Sequence, residues 1–232
     1  MKVSVIMPTY NRPEMIFESI SSYFREGYEN KELIIVNDGS TADYTKVEEA
    51  CRHNNIQYVK LAHRGEPAAL NSGIAMATGD LVCLLHDDDL FNFGSIEERA
   101  GLFRAPKLVA VWGDSLKMMG SDRENLSLCT SGHPDVSRYW REDYIAFNTL
   151  MWKRVIHQVI GGFDESLQHE YDYDWKLRLH LTYCEAGRLG YIKIPVMINR
   201  IHHDRLTTIH SPEKLAKEHG YIHAKYRAQG FK

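Results

Sequence analysis

Three consecutive carboxylates, Asp87, Asp88 and Asp89, follow a run of apolar residues in the segment DLVCLLHDDD. Like charges at the end of a buried strand repel one another, and the repulsion is most readily offset by a bound cation or by hydrogen-bond donors. Carboxylate oxygens suit Mg²⁺ or Mn²⁺, which complete their coordination with substrate phosphates. The triplet therefore predicts a divalent-metal site. The alternative is a solvated acidic turn that caps the following helix.

Further polar clusters follow the other apolar runs of the first half, at 8 to 12 (PTYNR), 37 to 40 (NDGS) and 63 to 66 (HRGE). In a parallel α/β sheet, ligands bind outside the carboxyl ends of the strands. Clusters at that edge could hold a nucleotide, with a carboxylate for the base or ribose, an aromatic ring for stacking and arginine for phosphate. Taken singly, Asn11 and Asp38 are better explained as helix caps.

A second group of carboxylates, Glu170, Asp172 and Asp174, lies among aromatic residues at the start of a predicted helix over 172 to 181. A carboxylate in this position can serve as a general base. It can equally stabilise the helix start through the helix dipole. His202 lies after a predicted strand, where a histidine is more simply explained as a surface residue.

The elements that must position these residues alternate along the first half of the chain. Apolar strands separated by helices predict a parallel sheet that is covered on both faces, hence an α/β fold. The predicted strands are 2 to 10, 32 to 40, 56 to 62, 80 to 89 and 108 to 114, and the predicted helices are 12 to 25, 42 to 53, 66 to 78 and 93 to 103. Hairpins and loops are expected over 115 to 150, a strand over 191 to 201 and a helical tail from 212.

Length and composition limit the remaining possibilities. The chain has 232 residues, which favours one large domain. Its 28 Lys and Arg residues against 31 Asp and Glu residues argue against a nucleic-acid partner. No apolar run approaches the roughly 20 residues of a membrane span, and the N-terminal segment lacks the pattern of a signal peptide, so a cytoplasmic protein is expected. The four cysteines form no CxxC pair and are predicted to be reduced, mostly buried thiols.

Six segments in order resemble family 2 glycosyltransferases of the GT-A fold over residues 3 to 207: VSVIMPTYNR, LIIVNDGS, RGEPAALNSGIAMATGDLVCLLHDDD, GGFDE, YDYDWKLRL and NRIHHDRLT. Each motif is modest evidence, whereas the six in order are specific. The resemblance implies a Rossmann-like, mostly parallel sheet, a nucleotide-diphospho-sugar donor, most readily a UDP-sugar, a Mn²⁺ or Mg²⁺ cofactor and inversion at the anomeric carbon. It also implies a single domain with a nucleotide-sugar half (1 to 114), an acceptor half (115 to 210) and a helical tail (211 to 232).

The resemblance also implies roles for individual residues. Asp88 and His202 would bind the metal, and Asp172 would be the catalytic base. Gly162, Phe163 and Asp164 would line the acceptor cleft. The residues expected to bind the nucleotide sugar are Pro8, Thr9, Tyr10, Arg12, Asp38, Gly65, Asn71, Asp87 and Asp88.

Three positions depart from the family pattern. His86 stands where an aspartate is common, Leu70 where many relatives carry Arg or Lys, and Tyr171 where a glutamate often precedes the base. These departures keep open a non-catalytic glycan-binding module on the same scaffold. A sugar nucleotidyltransferase is the other alternative, but it requires a glycine-rich, basic phosphate loop after the first strand, which PTYNRPE lacks.

The acceptor is expected to be a glycan or a lipid-linked sugar. The tail carries basic residues interleaved with apolar ones, so it could rest on an anionic membrane at the inner face of the cell. Packing of the tail against the domain is the favoured alternative. The residues concerned are Lys214, Leu215, Lys217, Tyr221, Ile222, Lys225, Tyr226 and Arg227.

Overall fold

A computed structural model of the protein describes residues 1–202 and 212–230. In chain order, its elements are β1 (Val3–Thr9), α1 (Ile16–Arg25), β2 (Lys31–Asn37), α2 (Thr45–His53), β3 (Gln57–Lys60), α3 (Glu66–Met76), β4 (Leu81–Leu84), β5 (Leu90–Phe91), α4 (Ser95–Leu102), β6 (Ala110–Met119), β7 (Leu126–Cys129), α5 (Val136–Tyr139), a 3₁₀ turn (Phe147–Thr149), β8 (Met151–Lys153), α6 (Arg154–Val159), α7 (Tyr171–Tyr183), β9 (Leu189–Ile201) and α8 (Pro212–Ala228).

The strands form a mixed sheet in the order β3-β2-β1-β4-β8-β6-β9-β5, and β7 pairs with β6. The first four strands in this order are parallel, as the alternating pattern of the sequence predicts. Beyond them, β8 runs antiparallel to both β4 and β6, while β9 is parallel to β6. The α/β prediction is therefore correct, and the uninterrupted parallel block is limited to β3, β2, β1 and β4.

The strands of the parallel half are apolar throughout because both of their faces are covered. Alternate residues of a strand point to opposite faces. Thus Ile6 belongs to a core cluster that contains Ile74 of α3, whereas Val5 belongs to a second cluster that contains Ile16 and Ile20 of α1. This double burial explains why the sequence reads as continuous apolar runs rather than as alternating ones.

Two of the differences between predicted and observed element boundaries affect the site residues. The strand expected over 80 to 89 ends at Leu84, so His86 and the three aspartates leave the sheet in a turn before β5. The helix expected over 12 to 25 begins only at Ile16, because Asn11 adopts a φ of 55° and turns the chain outward after β1.

The C-terminal tail is helical, as predicted, and packs against the domain. Ile222 and Tyr226 are buried in the same core cluster as residues of α7. Its Lys225 lies 3.1 Å from Asp174. Two of its four apolar side chains are thus unavailable to a lipid surface. Within residues 1–202 and 212–230, no helix is long and apolar enough to cross a bilayer.

Helix α3 lies unusually close to the sheet at Gly73. A Cβ atom at this position would be 2.5 Å from Ile6 Cγ2 of β1 and 3.0 Å from Val36 Cγ2 of β2. Both contacts are shorter than carbon atoms tolerate, so the glycine sets the distance between helix and sheet. That distance places the first turn of α3, which begins with Glu66, at the carboxyl edge of the sheet.

Replacing Gly73 by alanine should therefore lower the free energy of unfolding by about 1–3 kcal/mol, because the overpacking exceeds the gain in helix propensity. The control is Gly101→Ala in α4, where no atom lies within 4 Å of the added Cβ. That variant should be neutral or more stable by up to about 1 kcal/mol. Denaturant unfolding of both variants measures the difference, and equal stabilities would contradict the close-packing argument.

Candidate functional site

A cleft of about 490 Å³ lies between the carboxyl edge of the parallel strands and the second half of the chain. From the first half, Arg12, Glu66 and the turn after β4 reach into it. From the second half, residues 143–148, the segment 168–172 at the start of α7, and Lys176 form the opposite wall. The cleft thus joins the acidic turn that contains Asp88 to the carboxylate of Asp172.

At one end of this edge, the carboxylate of Asp38 organises the turn after β3. Its Oδ1 accepts a hydrogen bond of 2.9 Å from the backbone N–H of Arg64, and its Oδ2 accepts one of 2.9 Å from that of Gly65. The ring of His63 stacks on Tyr10 at a centroid distance of 4.3 Å. Asp38 therefore serves this turn rather than a helix start, and Gly65 is required there because its φ is 95°.

Asp87 is completely buried and is held by Thr9, the last residue of β1, and by Arg12 in the segment that follows. Thr9 Oγ1 donates a hydrogen bond of 2.6 Å to Asp87 Oδ2, and Arg12 Nη2 lies 2.7 Å from Asp87 Oδ1. Burial raises the pKa of Asp87 to about 7, although the charge of Arg12 opposes the rise. Asp87 thus anchors Arg12 at the floor of the site, next to Asp88.

The carboxylate of Asp88 is contacted by the guanidinium group of Arg12 and by the imidazole ring of His202. Its Oδ2 accepts a hydrogen bond of 2.8 Å from Arg12 Nη1 and lies 3.1 Å from His202 Nε2. Burial alone would raise the pKa of Asp88, but Arg12, His86 and His202 outweigh burial and lower it. Asp88 is therefore held as an anion.

Asp89 joins the turn to the second half of the sheet. Its Oδ1 accepts the backbone N–H of Arg200 at 3.0 Å, and its Oδ2 accepts a hydrogen bond of 2.7 Å from Asn148 Nδ2. The three carboxylates are thus offset by hydrogen-bond donors from β9, the 3₁₀ turn and the segment after β1. The sequence allowed two ways to offset the repulsion between the carboxylates, a bound cation or hydrogen-bond donors. The structure contains the donors.

His86 lies between two carboxylates. Its Nε2 is 3.0 Å from Glu66 Oε1, and its Nδ1 is 3.6 Å from Asp89 Oδ2. Burial would lower the pKa of His86, but the hydrogen bonds to Asp89 and Glu66 raise it well above the usual value. An imidazole between two carboxylates thus stands where the resemblance leads one to expect an aspartate. Glu66, to which the sequence gave no role although it closes the HRGE cluster, supplies a counter-charge and also bonds Tyr171.

The pair Asp88 and His202 fits a divalent cation as two of its ligands. A carboxylate oxygen and an imidazole nitrogen are both ligands that divalent cations such as Mn²⁺ accept. The observed separation of Asp88 Oδ2 and His202 Nε2 is 3.1 Å. Among the described residues, no group of three or more His, Cys, Asp or Glu side chains forms a metal cage. A cation here would need phosphate oxygens to complete its shell. The neighbouring His203, Asp204 and Arg205 lie outside the described residues.

At the opposite wall, Asp172 occupies the first turn of α7 and lines the cleft, with 24% of its side chain exposed. Its Oδ2 lies 3.0 Å from Lys176 Nζ. Burial raises the pKa of Asp172, and Lys176 only partly counters this effect. The alternative role for a carboxylate here was to stabilise the start of the helix. Glu218 of α8 performs part of that role, because its carboxylate accepts the backbone N–H groups of residues 168–170.

Asp174 is not available to the cleft. It is fully buried, its Oδ2 lies 2.8 Å from Arg178 Nη2, and its Oδ1 accepts a hydrogen bond of 2.8 Å from the hydroxyl of Tyr226. Glu170 does line the cleft, and its Oε2 lies 3.2 Å from His219 Nδ1. Asp172 and Glu170 are therefore the carboxylates of this segment that face the cleft.

Several residues that the sequence placed in the site do not line this cleft. Asn71 Oδ1 accepts the backbone N–H of Phe163 at 2.9 Å, and its Nδ2 donates to the carbonyl oxygen of Phe163 at 2.9 Å, so Asn71 fixes this segment. Phe163 is 3% exposed and packs edge-on against Phe147 and Tyr171, which corrects its expected place on the cleft wall. The residues outside the cleft wall also include Pro8, Tyr10, Gly162 and Asp164.

Curated relatives of the chain are glycosyltransferases. An uncharacterized glycosyltransferase of Rickettsia bellii is 39% identical over 97 residues, which cover 41% of this chain and 14% of the relative. This chain therefore spans only a small part of that relative's length. The putative colanic acid biosynthesis glycosyl transferase WcaA of Escherichia coli is 25% identical over 233 residues, which cover 95% of this chain and 79% of WcaA.

Solved structures share the fold. The crystal structure of Staphylococcus aureus TarS 1-349 in complex with UDP-GlcNAc superposes with a TM-score of 0.73 at 19% identity and covers 91% of this chain and 62% of that one. The mannosyltransferase PcManGT from Pyrobaculum calidifontis, in complex with GDP-Man and Mn²⁺, gives a TM-score of 0.63 at 19% identity and covers 100% of this chain and 65% of that one. The predicted GT-A fold class is confirmed by this likeness.

The family model of glycosyl transferase family 2 matches residues 4–163, which is more than half of the chain. The match contains most of β1, the turn after β2 and the acidic turn after β4, and it ends within the GGFDE segment. The chain therefore belongs to glycosyl transferase family 2.

Proposed function

We propose that the protein is an inverting, metal-dependent glycosyltransferase of polysaccharide biosynthesis. It transfers a hexose from a nucleotide-diphospho-sugar, a UDP-sugar, to a hydroxyl group of a glycan or lipid-linked acceptor. The observation that carries the proposal is the single cleft with Asp88 and Arg12 on one wall and Asp172 on the other. The complexes of TarS with UDP-GlcNAc and of PcManGT with GDP-Man support this choice of donor class.

The donor would bind along the carboxyl edge of the parallel strands. The nucleoside would lie near Tyr10, whose ring is partly exposed, and near the turn that Asp38 holds. The diphosphate would lie by Arg12 and Asp88. A divalent cation held there by Asp88, His202 and the phosphates would neutralise the diphosphate as it leaves. In this proposal, residues 1 to 114 recognise the donor, and residues 115 to 210 recognise the acceptor.

Asp172 would act on the acceptor. As the acceptor oxygen forms its bond to the anomeric carbon, the bond from that carbon to the diphosphate breaks, and the hydroxyl proton passes to Asp172. A single displacement of this kind inverts the anomeric configuration. One base is enough, since the departing diphosphate needs no proton when a cation stabilises it.

Changing Asp172 to asparagine tests the assigned base. The amide keeps the shape but cannot accept the proton, so transfer should fall by roughly 10²-fold or more. Binding of UDP with Mn²⁺ should still raise the melting temperature as it does in the parent, because the nucleotide site lies on the other wall. Product analysis by NMR should show an inverted anomeric configuration.

The matched control is Asp174→Asn, two residues further along α7. Asp174 is buried among Arg178, Lys225 and Tyr226 rather than exposed to the cleft, so this variant should lose stability while its folded fraction retains turnover. Comparable transfer by Asp172→Asn and the parent protein would remove Asp172 as the base and leave Glu170 as the carboxylate to examine.

Removal of divalent cations tests the donor end. EDTA should abolish transfer and Mn²⁺ or Mg²⁺ should restore it, because the acidic turn and the diphosphate are both anionic. Asp88→Ala should lower the affinity for UDP in the presence of Mn²⁺ far more than it lowers the melting temperature. Asp122→Ala, in an exposed turn away from the cleft, is the control and should change neither quantity. Undiminished transfer in excess chelator would overturn the metal role of Asp88 and His202.

A further inference from the structure

Lys176 is a buried cation beside the proposed base. It is 1% exposed, although lysine is rarely buried in proteins unless it is paired. Its ammonium group lies 2.6 Å from Asp143 Oδ2 and 3.0 Å from Asp172 Oδ2, and it donates a hydrogen bond of 2.9 Å to the carbonyl oxygen of Ile145. An ammonium group has three N–H donors. These acceptors therefore account for each of its donors and fix its position.

The position of Lys176 constrains Asp172. The two residues are four apart on α7, so their side chains lie on the same face of the helix. Lys176 holds the Oδ2 atom of Asp172, and the carboxylate is thereby oriented while part of it remains exposed to the cleft. The same ammonium group contacts Asp143 and the carbonyl oxygen of Ile145. Both residues belong to the segment 143–148, which forms part of the same cleft wall. Lys176 thus ties the carboxylate of Asp172 to the wall of the acceptor site.

The charges around Asp172 come from several elements. Lys176 attracts it from α7, and Asp143 repels it from the segment after α5. Glu170 adds a second negative charge at the start of α7 and is itself paired with His219 of α8. Among the described residues, the hydroxyls of Tyr139 and Tyr171 also interact with Asp172. Burial and Asp143 therefore oppose ionisation of Asp172, and Lys176 favours it.

We propose that Lys176 and Asp143 are positioning residues for the transfer reaction: Lys176 orients the carboxylate of Asp172 toward the acceptor, and Asp143 holds Lys176 in place. This inference rests on the proposed role of Asp172 as the base. Neither Lys176 nor Asp143 needs to touch the donor. Together with Asp172, they form an alternating anion–cation–anion row that joins α7 to the acceptor wall.

The pH dependence of kcat/KM tests the proposal, because the two residues have opposite effects on Asp172. Activity requires the ionised base, so it rises as the pH passes the pKa of Asp172. Asp143→Asn removes a neighbouring negative charge and should move this acidic limb to lower pH. Lys176→Met removes the stabilising cation and should move it to higher pH, by about one unit or more, with at least a tenfold loss of kcat.

Lys176→Met leaves two carboxylates without a cation in a buried place, so Lys176→Arg is added as the conservative variant. It retains the charge and should bring the limb back toward that of the parent. Asp143→Asn is nearly isosteric at a half-buried site and keeps an acceptor for Lys176, so it provides a test that does not depend on Lys176→Met being folded. The melting-temperature rise with UDP and Mn²⁺ should be unchanged in each folded variant, since donor binding is not involved.

The control for a purely structural role is Lys225→Met. Lys225 of α8 lies 3.1 Å from Asp174 of α7 but does not line the cleft. Its loss should lower stability without moving the acidic limb. An unmoved limb in Asp143→Asn, with Asp172→Asn inactive, would overturn the positioning pair and leave the proposed function intact. Full activity of Asp172→Asn would instead show that the base itself is assigned wrongly.

Discussion

Neutralisation of the acidic turn after β4 is the constraint on which the site depends. Three carboxylates are withdrawn from water at the carboxyl edge of the sheet, and unpaired buried charges of one sign would be strongly destabilising. Their partners come from different parts of the chain: Thr9 and Arg12 at and after the end of β1, Asn148 in the 3₁₀ turn, and Arg200 and His202 at the end of β9. The electrostatic requirement of one turn therefore gathers the ends of distant elements around the cleft.

The second half of the chain uses buried charges in the same way. Lys176 lies between Asp143 and Asp172, and Glu218 of α8 holds the backbone before α7. Helix α8 is thus part of the scaffold that positions the start of α7 at the cleft. Its buried Ile222 fixes it to the domain. This packing gives the basic, partly apolar sequence of the tail a structural use.

The three departures from the family pattern also have physical explanations. His86 replaces an aspartate at the edge of the sheet, and Glu66 restores a negative charge beside it at 3.0 Å. Tyr171 replaces a glutamate and bonds the same Glu66 with its hydroxyl. Leu70 is fully buried between α3 and the sheet, where a cationic side chain could not be solvated. These substitutions alter the floor of the cleft without removing Asp88 or Asp172, so they do not favour a degenerate, non-catalytic scaffold.

The sequence by itself determined the features that depend on local pattern. Continuous apolar runs predicted the parallel half of the sheet, and the positions of the polar clusters after those runs predicted the edge that Asp38 and Asp88 share. The antiparallel pairing of β8 with β4 and β6 was decided by the tertiary structure, because a strand of three residues has no periodicity that predicts its partners. The same holds for paired charges: Glu66 meets His86, and Asp143 meets Lys176 across a separation of 33 residues. The sequence placed Phe163 in the acceptor cleft, whereas its side chain is buried. A motif gives a residue's place in the chain but not the direction of its side chain. Such pairings form only in the assembled core, where a buried charge without a partner would be strongly destabilising.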